Sequence, residues 1–273
     1  MTAFVLKIIL LVSIICGNAA VLFADGEKVL FLYTFLRMIS MMAVPLAAFL
    51  LVEGFHNTKD RKRYAVRLFC AGLVAEVPFI WTSGLGLQKI LDGIKLHVGQ
   101  DAEFNADNYK LLIESSKDAK QYYQDLYFAC GRYAIDGLLT LAVAFGMLVL
   151  LDKLRAKYFG IKQPVFVALS TLVILGTLVL TIIIPFENPI EIVFFVVVFY
   201  FLRGNKPALS IMTLLMVLCF YTRYGVLIAS GAVAAMLMVQ AYNGKQGNTK
   251  FKYAFYVAYP LQFIILLGIS FLV

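Results

Sequence analysis

Long apolar runs alternate with short polar connections along most of the chain. A helix needs about 17 to 25 apolar residues to cross a bilayer, and runs of that order lie at 4–23, 30–55, 64–82, 128–151 and 164–185. Shorter or less clearly separated runs follow at 189–203, 207–222, 225–241 and 251–272. A helix that is apolar on every face has nothing to bury against in a soluble protein. The pattern therefore predicts an all-α, polytopic transmembrane bundle of about nine spans, within a range of eight to ten.

Charge in the connections predicts how the spans are oriented. Lysine and arginine collect in alternate connections, at 59–67, 153–162, 203–206 and 245–252. Cytoplasmic loops carry such an excess of basic residues, so we expect these connections and the N-terminus to be cytoplasmic. The polar stretch at 83–127 has more acids than bases and is predicted to be an external loop, with a short amphipathic helix capped by Asn108 or Asp107. We treat residues 1–273 as a single integral membrane domain.

Composition supports the membrane assignment and narrows the chemistry. Hydrophobic residues make up 62% of the chain, charged residues 15%, and the mean hydropathy is +0.87, whereas soluble domains are about 25% charged. The net charge of +8 comes from the connections, so it indicates membrane topology and a lipid bilayer as partner rather than nucleic acid. The four cysteines lie apart in apolar runs, and no cluster has the spacing of metal ligands, so no metal site is predicted.

Ionisable residues inside the predicted spans are candidates for function, because charge is costly in a bilayer. Glu53 lies before the first basic turn, where Arg61 or Arg67 could pair with it, and Glu76 lies before Pro78, where we expect the helix to break and expose carbonyls to a cavity. Both acids could instead be ordinary membrane-interface groups. Arg132 and Asp136 are four residues apart, which favours an ion pair on one helical face.

The basic turn HNTKDRKRYAVR permits two interpretations. Clustered basic donors suit a polyphosphate such as the nucleotide end of coenzyme A. Anchoring of the turn on the cytoplasmic side explains the same residues without a ligand. The candidate binding residues in this turn are His56, Arg61, Lys62, Arg63 and Arg67.

The segment PLAAFLLVEGFHNTKDRKRYAVRLFCAGLVAEVPF, at 45–79, resembles the signature of the TraX family. EIVFFVVVFYFLRGNK at 191–206 continues the resemblance, and KYAFYVAYPLQFIILLGI at 252–269 is similar to the Tyr-Pro-x-His helix that closes the family's sequences. TraX proteins are polytopic bacterial membrane proteins whose named activity is acetylation of the conjugative pilin. The resemblance implies a multi-pass protein of the bacterial plasma membrane, related to the acyltransferase-3 group, that transfers an acetyl group from acetyl-CoA to a pilin-like or cell-envelope acceptor.

The chain departs from the family pattern at its histidines. The family's Asp-His pair in the first span falls on Gly17 and Asn18, and the histidine after Tyr259 and Pro260 is replaced by Gln262. Asparagine and glutamine form hydrogen bonds but cannot carry a proton near neutral pH. On the resemblance, the catalytic candidates are therefore Asn18 and Gln262 with Glu53 or Glu76 as the base, and Tyr259 is a substrate-binding candidate.

Two other functions stay open on the sequence. The missing histidines are also what a catalytically inactive TraX relative would show, acting as a membrane partner in conjugation or secretion. A small-molecule transporter would require a buried polar path, for which only the second to fourth predicted spans offer ionisable residues.

Overall fold

The chain folds into a bundle of α-helices. The computed structural model describes residues 1–23, 30–117, 119–127, 135–248 and 254–272. Within these ranges the helices are α1 (Ala3–Phe23), α2 (Leu30–Ser40), α3 (Ala43–Asn57), α4 (Arg61–His97), α5 (Ala106–Ser115), α6 (Lys120–Leu126), α7 (Gly137–Tyr158), α8 (Gln163–Ile183), α9 (Pro189–Phe201), α10 (Lys206–Tyr221), α11 (Val226–Gln240) and α12 (Ala254–Ser270). The described residues contain no strand longer than an isolated bridge between Ile135 and Phe186. The predicted all-α class is confirmed.

Six of the apolar helical stretches are long enough to cross a membrane. They are Ala3–Phe23, Leu30–Asn57, Arg61–His97, Gly137–Tyr158, Gln163–Ile183 and Lys206–Tyr224. Three shorter apolar helices, α9, α11 and α12, lie at the remaining predicted spans. The helices thus support a membrane protein, while nine crossings and a cytoplasmic N-terminus remain predictions.

Helix α4 differs from the sequence prediction in two ways. It continues through Pro78 and ends only at His97, so the predicted helix break after Glu76 is wrong. Its 37 residues correspond to about 55 Å, which exceeds the roughly 30 Å hydrocarbon core of a bilayer. The first part of the predicted external loop at 83–127 is therefore a continuation of this helix. Farther along that loop, Asn105 rather than Asn108 or Asp107 caps α5 and accepts a hydrogen bond from the Asn108 N–H.

Helix α3 lies at the centre of the main core. It packs against α1, α7, α9 and α11, and most of its residues are buried. The Phe49 and Phe55 rings meet Phe199 and Phe145 edge to face, each at 5.4 Å between centroids, the geometry that aromatic pairs prefer. The polar turn after α3 ends at Asp60, whose carboxylate caps α4 by accepting the Arg63 N–H. The two helices predicted on either side of the turn within 45–79 are present, but α3 packs against α1, α7, α9 and α11 and α4 against α12 and α7, so the two do not pair as a hairpin.

A second, smaller core joins α5 and α6 to the ends of α2 and α4. Tyr33 of α2 stacks edge to face on Tyr122 at 4.7 Å, and Ile90, Ile94 and Leu112 are fully buried beside them. The polar segment after α4 is therefore packed onto the bundle rather than extended away from it.

Candidate functional site

An elongated cavity of about 430 Å³ lies among α1, α3, α4 and α12. Helix α1 lines it from Ala3 to Val21, a distance of about 27 Å along the helix axis. The cavity is therefore nearly as long as a bilayer's hydrocarbon core is thick. Most of its surface is apolar, but ionisable and amide side chains also line it, which is unusual inside an apolar bundle and marks a candidate site.

Glu53 of α3 lies at one end of the cavity. Its carboxylate accepts hydrogen bonds from Arg203 at 2.8 Å, Asn57 at 3.2 Å and Tyr242 at 3.4 Å. Arg61, which the sequence offered as a partner for Glu53, pairs instead with Asp152 at 2.6 Å. The negative charge of Glu53 is thus compensated by Arg203, and this ion pair links α3 to the connection after α9.

The other end of the cavity brings together Asn18, Arg37, Glu187 and Tyr259. Asn18 contributes an amide whose nitrogen is buried without a hydrogen-bond partner among the described residues. Arg37 is held by Asp125 of α6 through two hydrogen bonds, of 2.6 and 2.8 Å. Because Arg37 is bonded to Asp125, it is not bonded to Glu187. Glu187 lines the cavity, and no arginine or lysine of the described residues is hydrogen bonded to its carboxylate.

Three acids converge on the first turn of α7. The backbone N–H of Gly137 donates to Glu187 Oε2 at 2.9 Å, and that of Asp136 donates to Glu76 Oε2 at 3.2 Å. The fully buried Asp136 carboxylate accepts the Tyr259 hydroxyl. The positive end of a helix dipole stabilises nearby carboxylates, so α7 organises this acidic cluster. The described residues hold no group of acids, histidines and cysteines arranged to bind a metal ion.

Glu187 lies in the connection after α8. Asp136 lies directly before α7, which begins at Gly137, so the structure places Asp136 outside that helix and not within the span predicted at 128–151. Burial raises the pKa of the Asp136 carboxyl to about 8, and the neighbouring Glu187 adds to the rise. Burial also raises the pKa of Glu187 to about 7, although the Gly137 N–H lowers it. A carboxyl whose pKa lies near neutral pH is suited to accept and release a proton. The cluster can therefore perform acid–base chemistry beside the cavity.

The predicted catalytic residues divide into two groups. Asn18 and Glu53 line the cavity, as does the predicted substrate-binding residue Tyr259. Glu76 and Gln262 do not line it. Glu76 is turned toward the Asp136 backbone, and Gln262 is buried in α12, where neither atom of its amide has a hydrogen-bond partner in the described part of the chain.

Most side chains of the basic turn contact other protein groups and do not line the cavity. Arg61 lies over the Phe55 ring at 4.1 Å in addition to pairing with Asp152. Exposed Arg63 pairs with Asp60 at 3.0 Å, and His56 stacks on Tyr200 at 5.7 Å. Lys62 is exposed. Of the five predicted phosphate-binding residues in the turn, Arg67 alone lines the cavity.

The sequence did not identify Glu187 as a site residue. It lies in the short connection between two apolar runs, and no spacing in the sequence places it inside the bundle. Its position depends on backbone pairing, since the Ile135 N–H donates to the Pro185 carbonyl at 3.1 Å and the Glu187 N–H to the Ile135 carbonyl at 2.8 Å. The predicted Arg132–Asp136 pair cannot be compared, since Arg132 lies outside the described residues.

Comparison with known proteins gives one partial similarity. The chain is 33% identical over 81 residues to a probable fimbrial assembly protein FimC, serogroup H1, of Dichelobacter nodosus. The match covers 29% of this chain and 32% of that protein, so it spans about a third of the relative's length. No family model and no solved structure matches the chain.

Proposed function

We propose that the protein is a membrane-bound acyltransferase that acetylates a pilin-like or cell-envelope acceptor, with acetyl-CoA as the donor. The observation that carries the proposal is the shared cavity of Asn18, Glu53 and Tyr259. These residues come from the first helix, from α3 in the segment 45–79 and from the last helix, three parts of the sequence that the TraX resemblance involves. Their convergence on one cavity is what a retained active site requires.

Two further observations support this function. The partial similarity is to a probable fimbrial assembly protein, which agrees with a pilin-like acceptor. Six long apolar helices agree with a multi-pass protein of the bacterial plasma membrane, which we propose to cross it nine times with its N-terminus in the cytoplasm.

We assign the role of general base to Glu187. An amine or hydroxyl of the acceptor must lose a proton as it attacks the thioester carbonyl of the donor, and a carboxylate with a pKa near neutral pH can take that proton. The new C–N or C–O bond forms, the C–S bond breaks, and the coenzyme A thiolate leaves and takes up a proton. Asn18 and Tyr259 supply hydrogen bonds that position the reacting groups, a role that does not require a histidine.

Transfer of a labelled acetyl group tests the proposal. Membranes containing the protein are incubated with acetyl-labelled acetyl-CoA, and label is measured on membrane proteins and envelope material. We expect the wild type to transfer label. The Glu187→Gln variant should transfer it at least about a hundredfold more slowly, which is the lower end of the effect of a general base. The control Glu103→Gln, at an exposed residue, should transfer label at the normal rate. Absence of transfer by the wild type would overturn the proposal.

A catalytically inactive relative is the second candidate. It is favoured by Asn18 and Gln262 in place of the family's histidines and by the position of Gln262 outside the cavity. In that case the protein acts as a membrane partner in conjugation, secretion or fimbrial assembly. Deletion of the gene would then impair assembly of the appendage, whereas Glu187→Gln would leave it intact.

A further inference from the structure

The entrance of the cavity next to the start of α1 carries a lysine without an acidic partner. Lys7 lines the cavity, and its Nζ lies 5.7 Å from the centroid of the Phe255 ring. No carboxylate of the described residues lies within ion-pair distance of it. Because a cation inside a membrane protein is costly unless it is compensated, this position favours an anion from outside the chain.

Three arginines at or beside the cavity are compensated by acids. Arg37 pairs with Asp125, Arg203 with Glu53 and Arg223 with Glu191, at 2.6, 2.8 and 2.6 Å. Lys7 therefore differs from these arginines in a way that structural anchoring does not explain.

Arg67 approaches the same entrance from α4. It lines the cavity one turn after Tyr64, and the Tyr64 hydroxyl is hydrogen bonded to Tyr256. Tyr256 follows Phe255, the ring beneath Lys7. Lys7 of α1 and Tyr64 of α4, one turn before Arg67, thus both contact the first turn of α12.

Neutral polar side chains line the cavity as well. They include Asn57, Thr58, Gln246 and Asn248. Glu53, an acid of the cavity lining, already accepts hydrogen bonds from Arg203 and Asn57. Two cations with amide and hydroxyl donors are suited to the several oxygens of a phosphate group.

We propose that Lys7 and Arg67 form a binding site for the phosphate groups of an anionic ligand at this entrance. The assignment of that ligand as the acyl donor rests on the proposed function. Asn18 lies on the same face of α1 as Lys7, because 11 residues complete almost whole turns, and it is about 16 Å farther into the cavity. Acetyl-CoA has phosphates at one end and a thioester at the end of a long, thin arm. Such a donor could place its phosphates at Lys7 and its thioester near Asn18.

Binding measurements on the full-length protein in nanodiscs of zwitterionic lipid test the site. The probes are coenzyme A, inorganic pyrophosphate and, in a separate preparation, nanodiscs containing phosphatidylglycerol. We expect coenzyme A and pyrophosphate to bind, Lys7→Gln and Arg67→Gln each to weaken binding about tenfold or more, and Lys7→Arg to retain it. Lys153→Gln, an exposed lysine outside the cavity, serves as the control, and size-exclusion profiles establish that every variant is folded.

The outcomes separate the site from the reaction. Binding of pyrophosphate or phosphatidylglycerol that depends on Lys7, without binding of coenzyme A, would support the anion site and overturn acetyl-CoA as its ligand. Binding of coenzyme A that is unchanged in folded Lys7→Gln and Arg67→Gln would overturn the site and leave the acyltransferase proposal intact. If none of the three probes binds, the site is also overturned.

Discussion

At the scale of single residues, the pair of Arg37 and Asp125 shows how the bundle accommodates buried charge. The Asp125 side chain is fully buried and that of Arg37 is 12% exposed. Asp125 also accepts the Tyr33 hydroxyl at 2.5 Å. The pair joins α2 to α6, so it fixes the small outer core to the wall of the cavity.

Removing one partner of this pair should destabilise the protein strongly. In Asp125→Asn the Arg37 charge stays buried without a counterion, and breaking a buried pair in this way costs about 3–5 kcal/mol. Thermal unfolding in detergent should show a large fall in melting temperature. The matched control is Asp60→Asn in the exposed pair with Arg63, for which we expect little change because surface pairs contribute about 0–1 kcal/mol. Equal melting temperatures for the two variants would contradict this account of the pair.

Asp136 should hold its proton at neutral pH. Its raised pKa of about 8 means that the protonated form persists well above the pH at which an ordinary aspartate ionises. Infrared spectroscopy should show the C=O band of a protonated carboxyl at pH 7 that fades as the pH rises through 8 and is missing in Asp136→Asn. Since the Glu187 charge raises the pKa of Asp136, Glu187→Gln should move the titration to lower pH. A band unaffected by either substitution would contradict the assignment.

Site residues in long apolar runs could be predicted from the sequence more readily than site residues in connections. Asn18, Glu53 and Tyr259 could be proposed because each stands in a recognisable helical segment, and all three line the cavity. Glu187 could not, because its place depends on the pairing of two connections that are far apart in the chain. Gln262 was proposed from its position after Tyr259, but a position in sequence does not determine which way a helical side chain points.

At the scale of elements, α4 is the clearest difference between the sequence and the structure. Proline lacks the N–H that an interior helical position requires, so a break at Pro78 was expected, yet the helix continues to His97. Packing against α12 and α7 stabilises it, and membrane helices tolerate proline when neighbouring groups satisfy the freed backbone. The periodicity of apolar residues therefore located the helices, while their ends depended on tertiary contacts.

Labelling of single cysteines should show on which side of the membrane each end of α4 lies. In a background without native cysteines, we expect Asp101→Cys, just beyond α4, to react with an impermeant maleimide added to intact cells. Lys59→Cys, in the turn before α4, should react only after the membrane is permeabilised. Both sites are exposed, so neither should be shielded by the protein itself. The reverse pattern would contradict the cytoplasmic placement of the basic turn.

At the scale of the whole molecule, the cavity connects two chemically different ends. One end has Lys7, Arg67 and neutral donors, and the other has Glu187, Tyr259 and the buried acids at the start of α7. In the proposed reaction the donor's phosphates occupy the first end and its acetyl group reaches the second. The arrangement assigns anion binding and proton transfer to different parts of one site.

The most direct test of the central claim uses purified protein in liposomes supplied with acetyl-CoA and envelope extract. The release of free coenzyme A thiol is measured together with the appearance of acetylated acceptor. The account predicts that wild-type protein produces both in equal amounts and that Glu187→Gln lowers both by at least about a hundredfold. Thiol release by wild-type protein at the rate of protein-free liposomes, with no acetylated acceptor, would contradict the account.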